Sequence, residues 1–221
     1  MFDHIDGVVF DLDGTLVDSM GIWYEVDCEF LSKRGLAVPA NINKLTEGNS
    51  FTETAILFKE LFHLSETIEE IKKEWILMTL DYYQNKIPLK DGVLDLLEYL
   101  KENKIPMAIA TSCSRALAQA VIRQHNLEEY FKAIVTSCEV AKGKPHPDVF
   151  LKALELMGVE GKNGLAFEDT VAGVEAAKAA GMRVVAVYDK HSEDYVDEIK
   201  EKADYFVLSM DEAIDANEMA V

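Results

Sequence analysis

Four short stretches carry side chains able to do chemistry together. Asp11-Leu12-Asp13-Gly14-Thr15 sets two carboxylates two residues apart. Thr111-Ser112 supplies hydroxyls, Lys144-Pro145 a cation, and Glu168-Asp169 two more carboxylates. Like charges crowded in one place repel unless a cation sits between them. Asp11, Asp13 and Asp169 are hard oxygen donors of the kind that suits octahedral Mg²⁺, which takes few protein carboxylates and keeps waters and phosphate oxygens. A carboxylate can also attack phosphorus and carry an aspartyl-phosphate, and Asp11 reads as that nucleophile. Asp13 starts on the same face of an extended backbone and is suited to protonate a leaving oxygen and then deprotonate a water. Lys144 adds a point charge, while Thr111, Ser112 and nearby backbone N–H groups donate hydrogen bonds to phosphoryl oxygens.

The surrounding pattern says how these stretches meet. Short apolar runs recur at Gly7-Val8-Val9-Phe10, Met107-Ala108-Ile109-Ala110, Ala133-Ile134-Val135, Leu165-Ala166-Phe167, Val184-Val185-Ala186-Val187 and Tyr205-Phe206-Val207-Leu208. Continuous runs of this length read as strands buried on both faces, as in a parallel sheet. Amphipathic stretches at Asp91–Asn103, Ser114–His125, Pro147–Met157 and Thr170–Ala180 separate them. The alternation predicts βαβ units with right-handed crossovers, a Rossmann-like α/β fold. Ligands of open α/β sheets bind beyond the carboxyl ends of the strands. The first, second and fourth runs end in the chemical stretches, and the third leads to Lys144 after a short connection. One site along one sheet edge is therefore predicted.

From about Ser19 to Lys86 the rhythm breaks. Trp23–Leu31, Thr52–Phe62 and Ile68–Tyr83 have helical spacing, with no strand among them. The predicted organisation is an α/β core of residues 1–16 and 89–221, with an α-helical cap domain, residues 17–88, inserted after the first strand. Leu16-Val17-Asp18 and Ile87-Pro88-Leu89 are the hinge candidates.

The 221 residues are 49% hydrophobic and 28% charged, which fits a packed soluble core and excludes global disorder. The formal net charge of -18 repels nucleic acid and anionic membranes, so neither is expected as a partner. It also repels phosphate esters, so a phosphate site here needs local positive charge from a metal and a lysine. Cys28, Cys113 and Cys138 are too few and too scattered for a disulfide framework or a zinc pattern. The acidic start Met1-Phe2-Asp3-His4-Ile5-Asp6 is no secretory signal, and no apolar run is long enough to span a bilayer. A cytoplasmic monomer is expected.

Each site residue also has a plainer reading. Asp and Gly are ordinary turn residues, Thr111 can cap a helix, Lys144 can be a solvated lysine, and Glu168 can cap the helix that follows it. The agreement of several strand ends favours the chemical reading. Cys113 reads as a small packed side chain, and His4, His63, His125, His146 and His191 show no ligand pattern. Most of the insert's aromatics read as its own core, with Trp23 and Phe51 nearest the substrate.

Taken in order along the chain, Asp11-Leu12-Asp13-Gly14-Thr15, Thr111, Lys144-Pro145 and Glu168-Asp169 resemble the four motifs of the haloacid-dehalogenase-like hydrolases. The resemblance covers nearly the whole chain, and the insert is similar to the cap of the β-phosphoglucomutase and phosphoglycolate-phosphatase branch. It implies that Asp11 is nucleophile and metal ligand. It makes Asp13 the acid/base, binding metal through its carbonyl. Thr111 and Lys144 then hold phosphate, and Glu168 and Asp169 complete the Mg²⁺ site. The expected activity is hydrolysis of a small phosphorylated metabolite. A β-phosphoglucomutase-like isomerase is the alternative. A phosphoacceptor signalling module is the non-enzymatic one, disfavoured by the cap and by Asp13. In those mutases an Arg follows a Gly-x-Ser segment of the cap, and a His on the first cap helix helps to gate the acid/base. The matching positions here are Phe51, after Glu47-Gly48-Asn49-Ser50, and Trp23. Lys33, Arg34 and Lys44 are the cations left to serve a second phosphate. An apolar or aromatic leaving group suits such a cap.

Overall fold

The computed structural model describes residues 1–46 and 48–218, with the side chains of Asn43, Lys44 and residues 216–218 outside the described set. Six parallel strands form one sheet: β1 (Gly7–Phe10), β2 (Met107–Thr111), β3 (Phe131–Thr136), β4 (Gly164–Glu168), β5 (Arg183–Val187) and β6 (Tyr205–Val207), in spatial order β3-β2-β1-β4-β5-β6. The chain runs outward from β1 in both directions. β1 therefore lies between β2 and β4, with Phe10 level with Ile109 and Phe167. That register brings three of the four motifs to one edge, because Asp11, Thr111 and Glu168 each stand at or just past a strand end.

The apolar runs are continuous because both faces are covered. Val8, Phe10, Leu165, Phe167 and Val185 pack on one face, against α5 (Val93–Glu102) and α6 (Arg115–Gln124). Val9, Ala108, Ala166 and Val184 pack on the other, against α7 (Asp148–Met157) and α8 (Val171–Ala179). Two further helices near the C-terminus, α9 (Val196–Lys202) and α10 (Met210–Glu218), have no counterpart in the sequence reading. They are short and acidic, so few apolar positions mark their period.

Between β1 and β2 the chain makes a helical insert: α1 (Met20–Ser32), α2 (Ile42–Thr46), α3 (Phe51–Leu61) and α4 (Ile68–Asn85). Capping boxes start two of these helices, Ser50 with Glu53 for α3 and Thr67 with Glu70 for α4. Each box satisfies backbone N–H groups that the first turn leaves without helical partners. The insert has its own apolar cluster around Phe30, Phe58, Ile71 and Trp75. Arg34 straps it from outside, donating to Glu66 and Glu74 while lying over the Phe30 ring. The two connecting segments pair with each other: Val17 bridges Leu89, Asp18 N–H donates to the Pro88 carbonyl, and Lys90 N–H donates to that of Leu16. No helix among the described residues is long and apolar enough to cross a membrane.

Candidate active site

Beyond Phe10 the chain leaves the sheet and turns sharply. Gly14 has φ +88, and a Cβ there would lie 2.2 Å from Asp169 Oδ2. Only glycine combines that backbone with that approach. Lys90 holds the turn, donating to the carbonyls of Gly14 (2.7 Å) and Tyr188 (2.7 Å) and to Asp189 Oδ2 (3.0 Å). The Thr15 hydroxyl donates to Asp169 Oδ1 at 2.9 Å. The turn that carries Asp11 is thereby fixed to the loop that carries Asp169.

Carboxylate oxygens of Asp11, Glu168 and Asp169 lie within 4.8 Å of one another, and all three residues are buried. Lys144 Nζ donates to Asp11 Oδ1 and to Glu168 Oε1. Burial opposes the lysine's charge, but the two carboxylates beside it prevail and its pKa is raised. Burial also pushes the Asp11 carboxyl up, to about 8, against the pull of Lys144, and raises that of Asp169. The one ammonium thus pairs with two of the three carboxylates, and Asp169 Oδ2 is buried with no hydrogen-bond partner. A hard divalent cation fits this donor set, because it would satisfy the orphaned oxygen and restore the ionised forms.

Asp13 stands apart from that group. Its Oδ1 accepts from the Ser19 hydroxyl at 2.6 Å and from the Tyr83 hydroxyl. Tyr83 Oη in turn accepts from Trp23 Nε1 at 2.8 Å. The spacing of Asp11 and Asp13 suggests a shared face for their carboxylates. Asp11 and Asp13 both line one cavity, with the Asp13 carboxylate held by the hydroxyls of Ser19 and Tyr83.

At β2 the Thr111 Oγ1 accepts from the Cys113 backbone N–H at 3.0 Å, which leaves its proton free to donate elsewhere. The cap of α6 is Ser114. The cap of α8 is Thr170, whose hydroxyl donates to Glu168 Oε2 at 3.3 Å. Neither Thr111 nor Glu168 therefore serves as the helix cap of its plainer reading. Gly173 is needed in the first turn of α8, since a Cβ there would lie 2.0 Å from the Glu168 carboxylate. Lys142 is exposed while Lys144 is buried. Cys113 is buried, and burial and Asp13 hold its thiol well above its ordinary pKa, so it is no nucleophile.

A cavity of about 220 Å³ opens between insert and sheet edge. Asp11, Asp13, Thr111, Ser112 and Lys144 line it from the core, and Trp23 and Phe51 from the insert. Glu168 and Asp169 are fully buried and join the site through their contacts with Lys144, Thr15 and Asp11. Lining residues that the sequence reading does not single out include Tyr24, Asp27, Ser192 and Tyr195, and His191, which shows no ligand pattern in the sequence, lines the cavity too. Trp75, one of the insert's aromatics, packs on Phe30 and Phe58 in the insert's core and also touches the cavity. Tyr83 belongs to the main apolar cluster of the molecule, where it bonds Asp13.

Residues 8–187 match the haloacid dehalogenase-like hydrolase family. The chain belongs to that family. Its cap insert and parallel sheet are shared with CbbY of Rhodobacter sphaeroides, solved with phosphate, at a TM-score of 0.80 and 25% identity over 93% of this chain and 95% of that one. The fructose-1-phosphate phosphatase of Escherichia coli is 30% identical over 85% of this chain and 98% of its own length. The bifunctional riboflavin kinase/FMN phosphatase of Arabidopsis thaliana is 34% identical over 81% of this chain. This hydrolase spans 48% of that relative's length.

Proposed function

We propose that this hydrolase is a Mg²⁺-dependent phosphatase that cleaves a small phosphorylated metabolite, sugar phosphates included, through an aspartyl-phosphate on Asp11. The observation that carries the reading is the Asp11 carboxylate itself. It is bonded to Lys144, grouped with Glu168 and Asp169, and open to the cavity beside Asp13.

In the first step an Asp11 oxygen attacks phosphorus, the bond to the leaving oxygen breaks, and protonated Asp13 gives its proton to that oxygen. In the second, Asp13 takes a proton from water as the water oxygen bonds to phosphorus, and Asp11 leaves as carboxylate. Lys144 pairs with the anionic nucleophile and the phosphoryl oxygens. Thr111 and Ser112 donate to those oxygens. Asp11, Glu168, Asp169 and the Asp13 carbonyl are the residues proposed to hold Mg²⁺, which when bound offsets the negative charge shared by phosphate and carboxylates. Residues 17–88 are taken as the cap domain and 1–16 with 89–221 as the core, joined by the paired segments at Val17 and Leu89.

The substrate class draws support from the Escherichia coli relative, a fructose-1-phosphate phosphatase by name. A mutase must also hold the distal phosphate of a bisphosphate. Phe51 lines the cavity where a cation would serve that purpose, Arg34 is engaged by Glu66 and Glu74, and Lys33 by Glu29. Asp11→Asn is expected to abolish release of inorganic phosphate from a panel of sugar phosphates while the far-ultraviolet circular dichroism stays native. Excess chelator is expected to stop the wild-type enzyme until Mg²⁺ is restored. Substantial turnover by the purified variant would remove Asp11 from its role. Faster formation of glucose 6-phosphate than of free phosphate, from β-glucose 1-phosphate with catalytic bisphosphate, would favour the mutase.

A further inference from the structure

We infer that Asp27 determines which leaving group the cavity accepts: its carboxylate takes hydrogen bonds from the hydroxyls of an uncharged polyol and turns away a second phosphate. The inference rests on the phosphatase reading and gives it a substrate class.

Asp27 lies one turn after Trp23 on α1, and both side chains line the cavity. The wall around them is aromatic. The Trp23 and Phe51 rings meet edge-on at 6.0 Å, and those of Phe51 and Trp75 at 5.6 Å. Among the described residues Asp27 has neither hydrogen bond nor ion pair, and burial alone pushes its carboxyl up to about 7. Asp27 itself is half-buried, at the edge of this wall. Trp75 is 2% exposed and its Nε1 has no hydrogen-bond partner. Buried polar groups are normally satisfied. The Trp75 N–H has no accessible surface, so the unpaired Asp27 carboxylate is the polar group of this wall that a ligand in the cavity would meet.

The chemistry of that ligand follows from its surroundings. A polyol presents an apolar C–H face to aromatic rings and hydroxyls to a carboxylate. Asn49 and Thr54 add neutral polar groups to the lining. Lys144 is the one lysine or arginine among the described lining residues, and Asp11 and Glu168 already occupy it. A second phosphate reaching α1 would meet the Asp27 carboxylate with no cation to offset it.

The test compares kcat/KM of wild type, Asp27→Asn and Asp27→Leu with Mg²⁺. The substrates are sorbitol 6-phosphate, fructose 1-phosphate, phosphoethanolamine, β-glucose 1,6-bisphosphate and p-nitrophenyl phosphate. In Asp27→Leu the ratio of the polyol phosphates to p-nitrophenyl phosphate is expected to fall by about tenfold or more, the scale of one lost hydrogen bond to a charged group. Asp27→Asn keeps the shape and one acceptor; it is expected to show a smaller fall and a relative gain on the bisphosphate. Ratios within about twofold of wild type in both variants, or a wild-type preference for phosphoethanolamine that Asp27→Leu removes, would overturn the assignment. Failure of the wild type on every ester, p-nitrophenyl phosphate included, would overturn the phosphatase reading instead.

Discussion

Tyr83 is a cap-helix residue with its hydroxyl on the proposed acid/base. The donor chain Trp23 Nε1 to Tyr83 Oη to Asp13 Oδ1 is reinforced by Ser19 at 2.6 Å, so three side chains from the insert and its entry loop fix one carboxylate. A general acid helps most where the leaving oxygen is a poor leaving group, and its placement matters in proportion. Tyr83→Phe is therefore expected to lower kcat on an alkyl ester such as fructose 1-phosphate by roughly tenfold or more. On p-nitrophenyl phosphate, whose phenolate departs without a proton, the loss is expected to be markedly smaller. Equal losses on both esters would show that Tyr83 only supports the fold. The motif acids were legible in the sequence because each follows an apolar strand, and a charge at such a place has no folding role. Tyr83 and Asp27 were not. Helical period puts Trp23 and Asp27 on one face of α1, but it cannot say that this face meets a cavity rather than solvent.

Among the elements, the strands and the long helices could be read because burial on two faces or on one stripe leaves a periodic record. The backbone part of the cap's seating on the core leaves none. Phe51 N–H donates to the Ser112 carbonyl at 3.1 Å, which ties the start of α3 to the loop after β2. Gly48 sits beside it with φ +75, and a Cβ there would lie 2.7 Å from Ala172 Cβ and 2.9 Å from the Lys144 carbonyl oxygen. Gly48→Ala is thus expected to hold the cap off the sheet edge. The cap's own cluster lies elsewhere and would keep it folded. Strain at positive φ costs about 1 kcal/mol, so thermal stability should change little. Turnover should fall several-fold, roughly in line with the sensitivity of catalysis to small misplacements, and the radius of gyration by small-angle scattering should rise. Wild-type turnover and scattering in this variant would sever the link between cap seating and catalysis. The paired segments at Val17 and Leu89 are the proposed hinges of such a motion.

At the scale of the whole molecule the field opposes the reaction. A chain of net charge -18 repels a phosphate dianion on approach, and the attraction that overcomes this is confined to Lys144 and the proposed metal site. The two act over different distances. The long-range field is screened over about 30 Å at 0.01 M salt and about 8 Å at 0.15 M. The local contacts are buried and nearly salt-independent. With Mg²⁺ held at saturation, adding salt should therefore remove the repulsion and spare the attraction. The sign is fixed by like charges: kcat/KM for a phosphate monoester is expected to rise, by roughly two- to tenfold between about 0.01 and 0.15 M NaCl. The kcat measured at saturating substrate should stay flat, because the bound complex is already past the field. A fall in kcat/KM with salt would mean that a cationic funnel guides the substrate in. The local balance at the cavity, rather than the net charge, would then govern capture.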